Sequence, residues 1–485
     1  MSILVPAGRW PTRNFTASGA TLPEVWAGIW TAHPDAPVLV YGWDGRRVVD
    51  AATLDGRTAG LAAALLERGV LPGDRVLWCA RATIPSIEAL LAVVRCGAVL
   101  VPLSPSATGS EIDHVVTDAA PVLALTDRER PDAFRAGPTV LAIEELARER
   151  PGSFAGTTGR QPGDDALIIY TSGTTGKPKG AVHTHASLLA GVGALQNAWD
   201  WRSGDRLVLC LPLFHVHGLC AGLFGTLTAG ASAAVFDRFD EAAVLDATLA
   251  STMFFGVPTM YHRLAASAHI RNLGGLRLCV SGSAPLAPEL WHQLNGHGVS
   301  VLERYGMTET LLTLSNPLEG ERRPGSVGMP LPGVEAELDG VDEYGIGELL
   351  VRGASLCRGY WGRDGLIPGE WFATGDLASV AADGYVSIRG RRTELIITGG
   401  HNVYPAEVEA VLARHPGVVE VAVVGAPSPE WGETVVAYVV GDVEVAALQE
   451  LASAELASFK CPREVRLIDA LPRNALGKVV RAELR

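Results

Sequence analysis

Apolar positions along the chain switch repeatedly between a period of two and a period near 3.6. VLVYGW and RRVVD alternate as a strand pair turned at Asp44-Gly45, and residues 53–68 carry helical spacing with Gly69 as a stop. RVLWCA then reads as a buried strand, SIEALLAVVRC as a helix and AVLVPL as a further strand. Strands apolar throughout and separated by helices predict a parallel sheet covered on both faces. The rhythm returns at PVLALTD, at RLVLCLPL and around TMFFGVPTMYHRLA.

From about residue 325 to 390 the texture changes. PGSVGMPLPGVEAEL, GELLVRG and GYVSIRGR are short strands punctuated by glycine, which predict a small β subdomain. Beyond Arg391 come a helix in PAEVEAVLARH, strands in VVEVAVVGAP and ETVVAYVVG, and a helix near residues 446–458. The fold class read from this pattern is α/β. A large N-terminal domain of parallel-type sheets under helices spans residues 1–390 and includes the β subdomain. A hinge follows at 391–393, and a small mobile α+β domain at 394–485.

Composition narrows the function. A chain of 485 residues, 48% hydrophobic and 19% charged, has enough apolar surface for more than one core. A net charge of −13 argues against nucleic acid as a partner, because phosphate backbones select clustered Lys and Arg. Seven scattered cysteines without a C-x-x-C pair read as reduced thiols, and the N-terminus lacks a secretory pattern, so a cytoplasmic location is expected. The longest apolar stretch, 87–103, contains Glu88 and Arg95 and breaks at Gly97, so no membrane span is expected.

The most informative segment is YTSGTTGKPKG at 170–180, between DALIIY and AVHTH. Gly173 and Gly176 let backbone N–H groups turn inward, and Thr171, Ser172, Thr174 and Thr175 add hydroxyl donors. Lys177 and Lys179 add positive charge, completing a nest for phosphate oxygens. It is not a Walker A loop, since Pro178 stands where that motif needs Ser or Thr.

This segment resembles the phosphate-binding signature of the adenylate-forming superfamily, which includes acyl-CoA synthetases, firefly-type luciferases and peptide-synthetase adenylation domains. The resemblance covers nearly the whole chain and implies ATP, Mg²⁺ and coenzyme A as reactants and cofactors. VSGSAPL (280–286) looks like the adenine-side loop, with Ser283, Ala284 and Pro285 at the nucleotide. In ERYGMTET (303–310), the likeness puts Glu303, Arg304, Tyr305 and Gly306 at the nucleotide, with Tyr305 stacked on adenine. It puts Thr308 at the α-phosphate, and Glu309 with Thr175 on the metal. Asp376 in TGD and Arg391 in GRR resemble the ribose contacts.

PRNALGK (472–478) resembles the catalytic loop whose lysine, here Lys478, neutralises charge as the carboxylate attacks. GGHNV (399–403) resembles the segment beside the CoA tunnel, implicating Gly399, Gly400 and His401. The family rotates its small domain between half-reactions. This chain departs from it at Thr393, where relatives carry Asp or Lys at the hinge.

Neither adenylation nor thioester chemistry identifies the acid. LPLFHVHGL and FGVPTMYHR, with ERYGMTETLL, look most like malonyl-CoA and methylmalonyl-CoA synthetases. His215 is carried over with the catalytic group, and Ser281 and Met307 with the acid pocket. A second carboxylate needs a cation, and the candidates are Arg238, Arg323 and His217. Other small, medium-chain or aromatic acids, a non-carboxylate oxyanion such as nitrite, and an amine or a carrier protein acting in trans as acceptor stay open.

Overall fold

Asp50 ends a strand and accepts a hydrogen bond from the Thr53 amide, and that cap starts the following helix at Ala51, two residues before the periodicity alone suggests. The helix runs Ala51–Glu67 and stops at Gly69, whose φ of +85° suits glycine. The same logic repeats along the N-terminal half: Thr83 caps Ile84–Arg95 and Thr184 caps His185–Ala198, each through a side-chain oxygen. The computed structural model describes residues 2–8, 10, 19–41, 47–127, 134, 137–148, 159–171, 178–363, 365–366, 369–473 and 479–484. The turn at Asp44-Gly45 lies outside them.

The described strands form four sheets. The first has seven strands in the order Gly359–Tyr360, Gly180–Thr184, Asp165–Tyr170, Val99–Pro102, Arg75–Cys79, Leu123–Thr126 and Thr139–Ala142. Its central members are parallel and buried on both faces, as their apolar runs require. The second has nine strands, and its parallel centre runs Leu278–Ser281, Met253–Gly256, Arg206–Leu209, Ser232–Val235. One edge of that sheet turns antiparallel at Val301–Met307 and Leu311–Ser315.

One apolar core fills the space between these two sheets and includes Trp26, Trp78, Trp199, Phe224 and Phe255. A third sheet of five strands is the β subdomain, with Phe372–Val380 and Val386–Arg391 at one edge. The fourth comprises His401–Val403, Ile396–Thr398, Gly432–Gly441, Val418–Ser428 and Glu464–Leu467, around its own core of Val403, Val408, Val423, Val435 and Leu448.

The irregular element of the fold is a π-helix at His217–Phe224. Gly218 has no room for a Cβ against the carbonyls of Leu211 and Pro212, so the helix packs directly on the preceding turn. This places His217 in the interior. Among the described residues no helix is long and apolar enough to cross a membrane.

Candidate active site

Two sheets meet where strand Gly180–Thr184 of the first approaches the corner between Val301–Met307 and Leu311–Ser315 of the second. The phosphate segment opens and closes through one pair of bonds: the Thr171 amide donates to the Lys179 carbonyl at 2.9 Å, and the Lys179 amide to Thr171 Oγ1 at 3.4 Å. Ser172, Gly173, Thr174, Thr175, Gly176 and Lys177 lie outside the described residues. Lys179 directs its ammonium over the ring of Tyr360, 5.2 Å from the centroid.

The corner is tightly built. Gly306 approaches the Leu311 carbonyl so closely that a Cβ would collide with backbone, and Leu311 itself has a φ of +56°. The Thr308 carbonyl accepts from His183 Nε2 at 2.7 Å. Burial pulls the His183 imidazole down to about 4, so it is neutral at pH 7. Glu309 is buried, and its Oε1 accepts from the Tyr360 hydroxyl at 2.7 Å. Oε2 has no hydrogen-bond or ion-pair partner among the described residues. A buried carboxylate with one oxygen free fits a hard cation that completes its shell with phosphate oxygens. Among the described residues no group of three or more His, Cys, Asp or Glu side chains is placed to hold a metal ion.

Asp376 and Arg391 are direct cross-strand partners, and Arg391 Nε lies 2.9 Å from Asp376 Oδ1. The Tyr305 hydroxyl donates to Asp376 Oδ2, and burial followed by that carboxylate holds the phenol well above its ordinary range. Three residues distant in sequence are thus joined in one hydrogen-bonded group.

The loop after Leu278–Ser281 carries Ser283 at a φ of +72°, with Ala284 and Pro285 exposed beyond it. Glu303 does not face outward from this loop. Its two oxygens accept from the Leu286 and Gly325 amides, each at 3.2 Å, and burial raises its carboxyl to about 7. It clamps backbone.

Arg304 is 4% exposed and makes no ion pair among the described residues. Among the described residues its one hydrogen bond is a long one, 3.4 Å to Ser283 Oγ, and Nε is unbonded. The guanidinium passes over Gly282, where a Cβ would strike it, and burial pulls it down to about 9. Close enough to feel its charge is His217, with both ring nitrogens buried and unbonded and its ring stacked on Phe255. The Ser281 hydroxyl, one strand over from Glu303, is likewise buried and unbonded. Buried polar groups are normally satisfied, so the neighbouring Arg304 and His217 mark a site for a polar ligand.

The other two expected arginines differ in their surroundings. Arg323 bonds Glu321 at 2.9 Å, pairs with Asp383 and stacks on Tyr385 at 3.9 Å, a structural arrangement on the third sheet. Arg238 is exposed and lines a cavity of about 440 Å³ with Arg81, Asp127, Phe214 and Met260. His215 packs its ring against Phe214 at 4.5 Å, and Met307 ends its strand at the corner. Gly399 and Gly400 take φ of +56° and +83° in the fourth sheet, and His401 stacks on Phe459 at 4.5 Å. Lys478 lies outside the described residues. Sequence reasoning missed His183 and Tyr360, and nothing local to AVHTH or RGYWG announces them.

A family model described as AMP-binding enzyme matches residues 27–361, and its C-terminal companion matches 407–478. The chain belongs to the AMP-binding enzyme family. It is 35% identical to the malonate–CoA ligase of Arabidopsis thaliana, over 86% of this chain and 78% of that one. It is equally 35% identical to a feruloyl-CoA synthase of an Amycolatopsis species, over 90% and 93%. Among solved structures, ATP-bound MatB from Rhodopseudomonas palustris superposes with a TM-score of 0.88 at 36% identity, over 96% of this chain and 98% of that one. As an AMP-binding enzyme with CoA ligases for relatives, the chain is an acyl-CoA synthetase of α/β fold.

Proposed function

We propose that this acyl-CoA synthetase activates a small dicarboxylic acid, malonate or methylmalonate, and passes its acyl group to coenzyme A. The observation that carries the choice of acid is Arg304, buried without a carboxylate partner among the described residues, beside the unbonded His217. An unpaired buried cation is disfavoured by several kcal/mol, roughly, and an anionic group on the substrate would offset that. A guanidinium also suits a carboxylate geometrically, by two parallel hydrogen bonds. An aromatic monoacid, as named for the feruloyl relative, would leave Arg304 uncompensated.

In the first half-reaction one carboxylate oxygen of the acid attacks the α-phosphorus of ATP and pyrophosphate leaves. In the second, the CoA thiolate attacks the acyl carbon and AMP leaves. Tyr305, Asp376 and Arg391 would hold the nucleoside, Thr308 and Lys179 the phosphates, and Lys478 would neutralise charge at the attacking step. Glu309, with Thr175, would hold Mg²⁺, whose charge stabilises the phosphate oxygens.

The division into residues 1–390, a hinge at 391–393 and a small domain at 394–485 belongs to the same reading. It is supported by the 3₁₀ turn Arg392–Glu394, after which the next strand, Ile396–Thr398, joins a separate sheet. Gly399, Gly400 and His401 would then reach the CoA thiol in the second orientation. The names of both ligase relatives specify CoA, so CoA and not a carrier protein is taken as acceptor.

The test is Arg304→Met assayed with malonate and with a monoacid. kcat/KM for malonate is expected to fall about 100-fold, roughly the worth of a buried charge-assisted pair, while KM for ATP stays within a few-fold. An equal loss for both acids, or none, would remove Arg304 from acid recognition.

A further inference from the structure

We propose that Tyr360 is a positioning residue for Glu309, fixing one carboxylate oxygen so that the other faces the metal bound with ATP. The inference rests on the reading of Glu309 as the metal-side residue.

The strand Gly359–Tyr360 pairs with Gly180–Thr184, with Tyr360 opposite Ala181, so it lies against the chain as it leaves the phosphate segment. Two flanking bonds tighten that seam: the Arg358 amide to the Val182 carbonyl at 2.9 Å, and the Trp361 amide to the Gly180 carbonyl at 2.8 Å. The same segment holds Glu309 twice. The Cys357 amide donates to the Glu309 carbonyl at 2.7 Å, and the Tyr360 hydroxyl donates to Oε1 at 2.7 Å.

Backbone and carboxylate of one residue are therefore set by one short stretch of another sheet. A carboxylate held at a single oxygen keeps its remaining lone pairs in a defined direction, which is what a cation with fixed coordination requires. Tyr360 also carries Lys179 over its ring at 5.2 Å, so one side chain contacts both the acidic and the basic residue expected at the phosphates. Burial and the Glu309 carboxylate push the phenol upward, so it remains a donor at neutral pH. A tyrosine that only filled space would serve equally well without its hydroxyl.

The experiment measures Mn²⁺ binding to the full chain in the presence of a non-hydrolysable ATP analogue, reading free Mn²⁺ by electron paramagnetic resonance. Tyr360→Phe keeps the ring over Lys179 and removes only the hydroxyl; Glu309→Gln is the comparator. The expected result is an Mn²⁺ dissociation constant raised about tenfold by Tyr360→Phe, as for lost outer-shell partners of metal ligands, and at least as much by Glu309→Gln. Thermal midpoint and metal-free affinity for the analogue should be unchanged in Tyr360→Phe. Weakening by Glu309→Gln alone overturns the role of Tyr360 and leaves the site reading intact. No weakening by Glu309→Gln overturns both, whatever Tyr360→Phe does.

Discussion

Nε2 of His183 lies 2.7 Å from the carbonyl oxygen of Thr308, across 125 residues of chain. A carbonyl only accepts, so Nε2 carries the proton, and the neutral ring presents Nδ1 to Ser187 Oγ at 3.3 Å. One imidazole thus ties the strand leaving the phosphate segment to the corner that bears Thr308 and Glu309. The two groups of residues proposed for the nucleotide come from different sheets, and this bond joins them.

Neutral burial of that ring makes the fold acid-sensitive. Burial pulls His183 and His185 down to about 4 from an unfolded value of 6.5, so between these pH values the unfolded chain binds more protons. Stability therefore falls as pH drops through this window, by up to about 3 kcal/mol for His183, from the value of one pKa unit. Urea denaturation at pH 7.5 and 5 should show the loss. His183→Gln, which retains a donor for Thr308 but cannot titrate, should reduce it; an unchanged pH dependence would contradict the assignment.

Arg304→Met should not destabilise the empty protein. Removing a buried charge that lacks a partner is expected to leave folding stability unchanged or raise it by about 1–2 kcal/mol. Chemical denaturation without substrates measures this. A loss of several kcal/mol would mean that the guanidinium is already compensated.

Asp376→Asn keeps the side-chain shape but removes the charge that pairs with Arg391 and accepts from Tyr305. ATP affinity is expected to fall about 10- to 30-fold, close to 1.5–2 kcal/mol for one charged hydrogen-bond acceptor. Calorimetric titration with ATP tests this, and unaltered affinity would exclude Asp376 from the ribose site.

Gly306→Ala should be severe. The added methyl would meet the Leu311 carbonyl and the Leu312 Cα, backbone atoms that cannot rotate aside. A loss of about 2–4 kcal/mol in stability is expected, from forced backbone displacement at the corner. Denaturation midpoints near wild type would show that the corner yields freely.

Much of the architecture is legible in the sequence because a buried parallel strand must be apolar throughout, as in RVLWCA and AVLVPL. The start of the helix at Ala51 was displaced from the periodic pattern by a cap, which hydrophobic spacing does not register. The family resemblance put Tyr305, Asp376 and Arg391 at the nucleoside, and in the structure the three are joined. Arg323 and Arg304 show the boundary of such reading. Arg323 was expected as a cation for the acid but has Asp383 sixty residues away, whereas Arg304, expected at the nucleotide, is enclosed by a left-handed turn and a π-helix that no local pattern announces. Pairing across sheets decides which arginine remains available.

The most direct measurement is AMP release dependent on ATP and CoA, with malonate, methylmalonate, acetate, octanoate, benzoate and nitrite compared under one set of conditions. The expected result is preference for malonate and methylmalonate with stoichiometric loss of free CoA thiol. Preference for a monoacid, or AMP release without CoA consumption, would contradict the proposed function while leaving the nucleotide site as described.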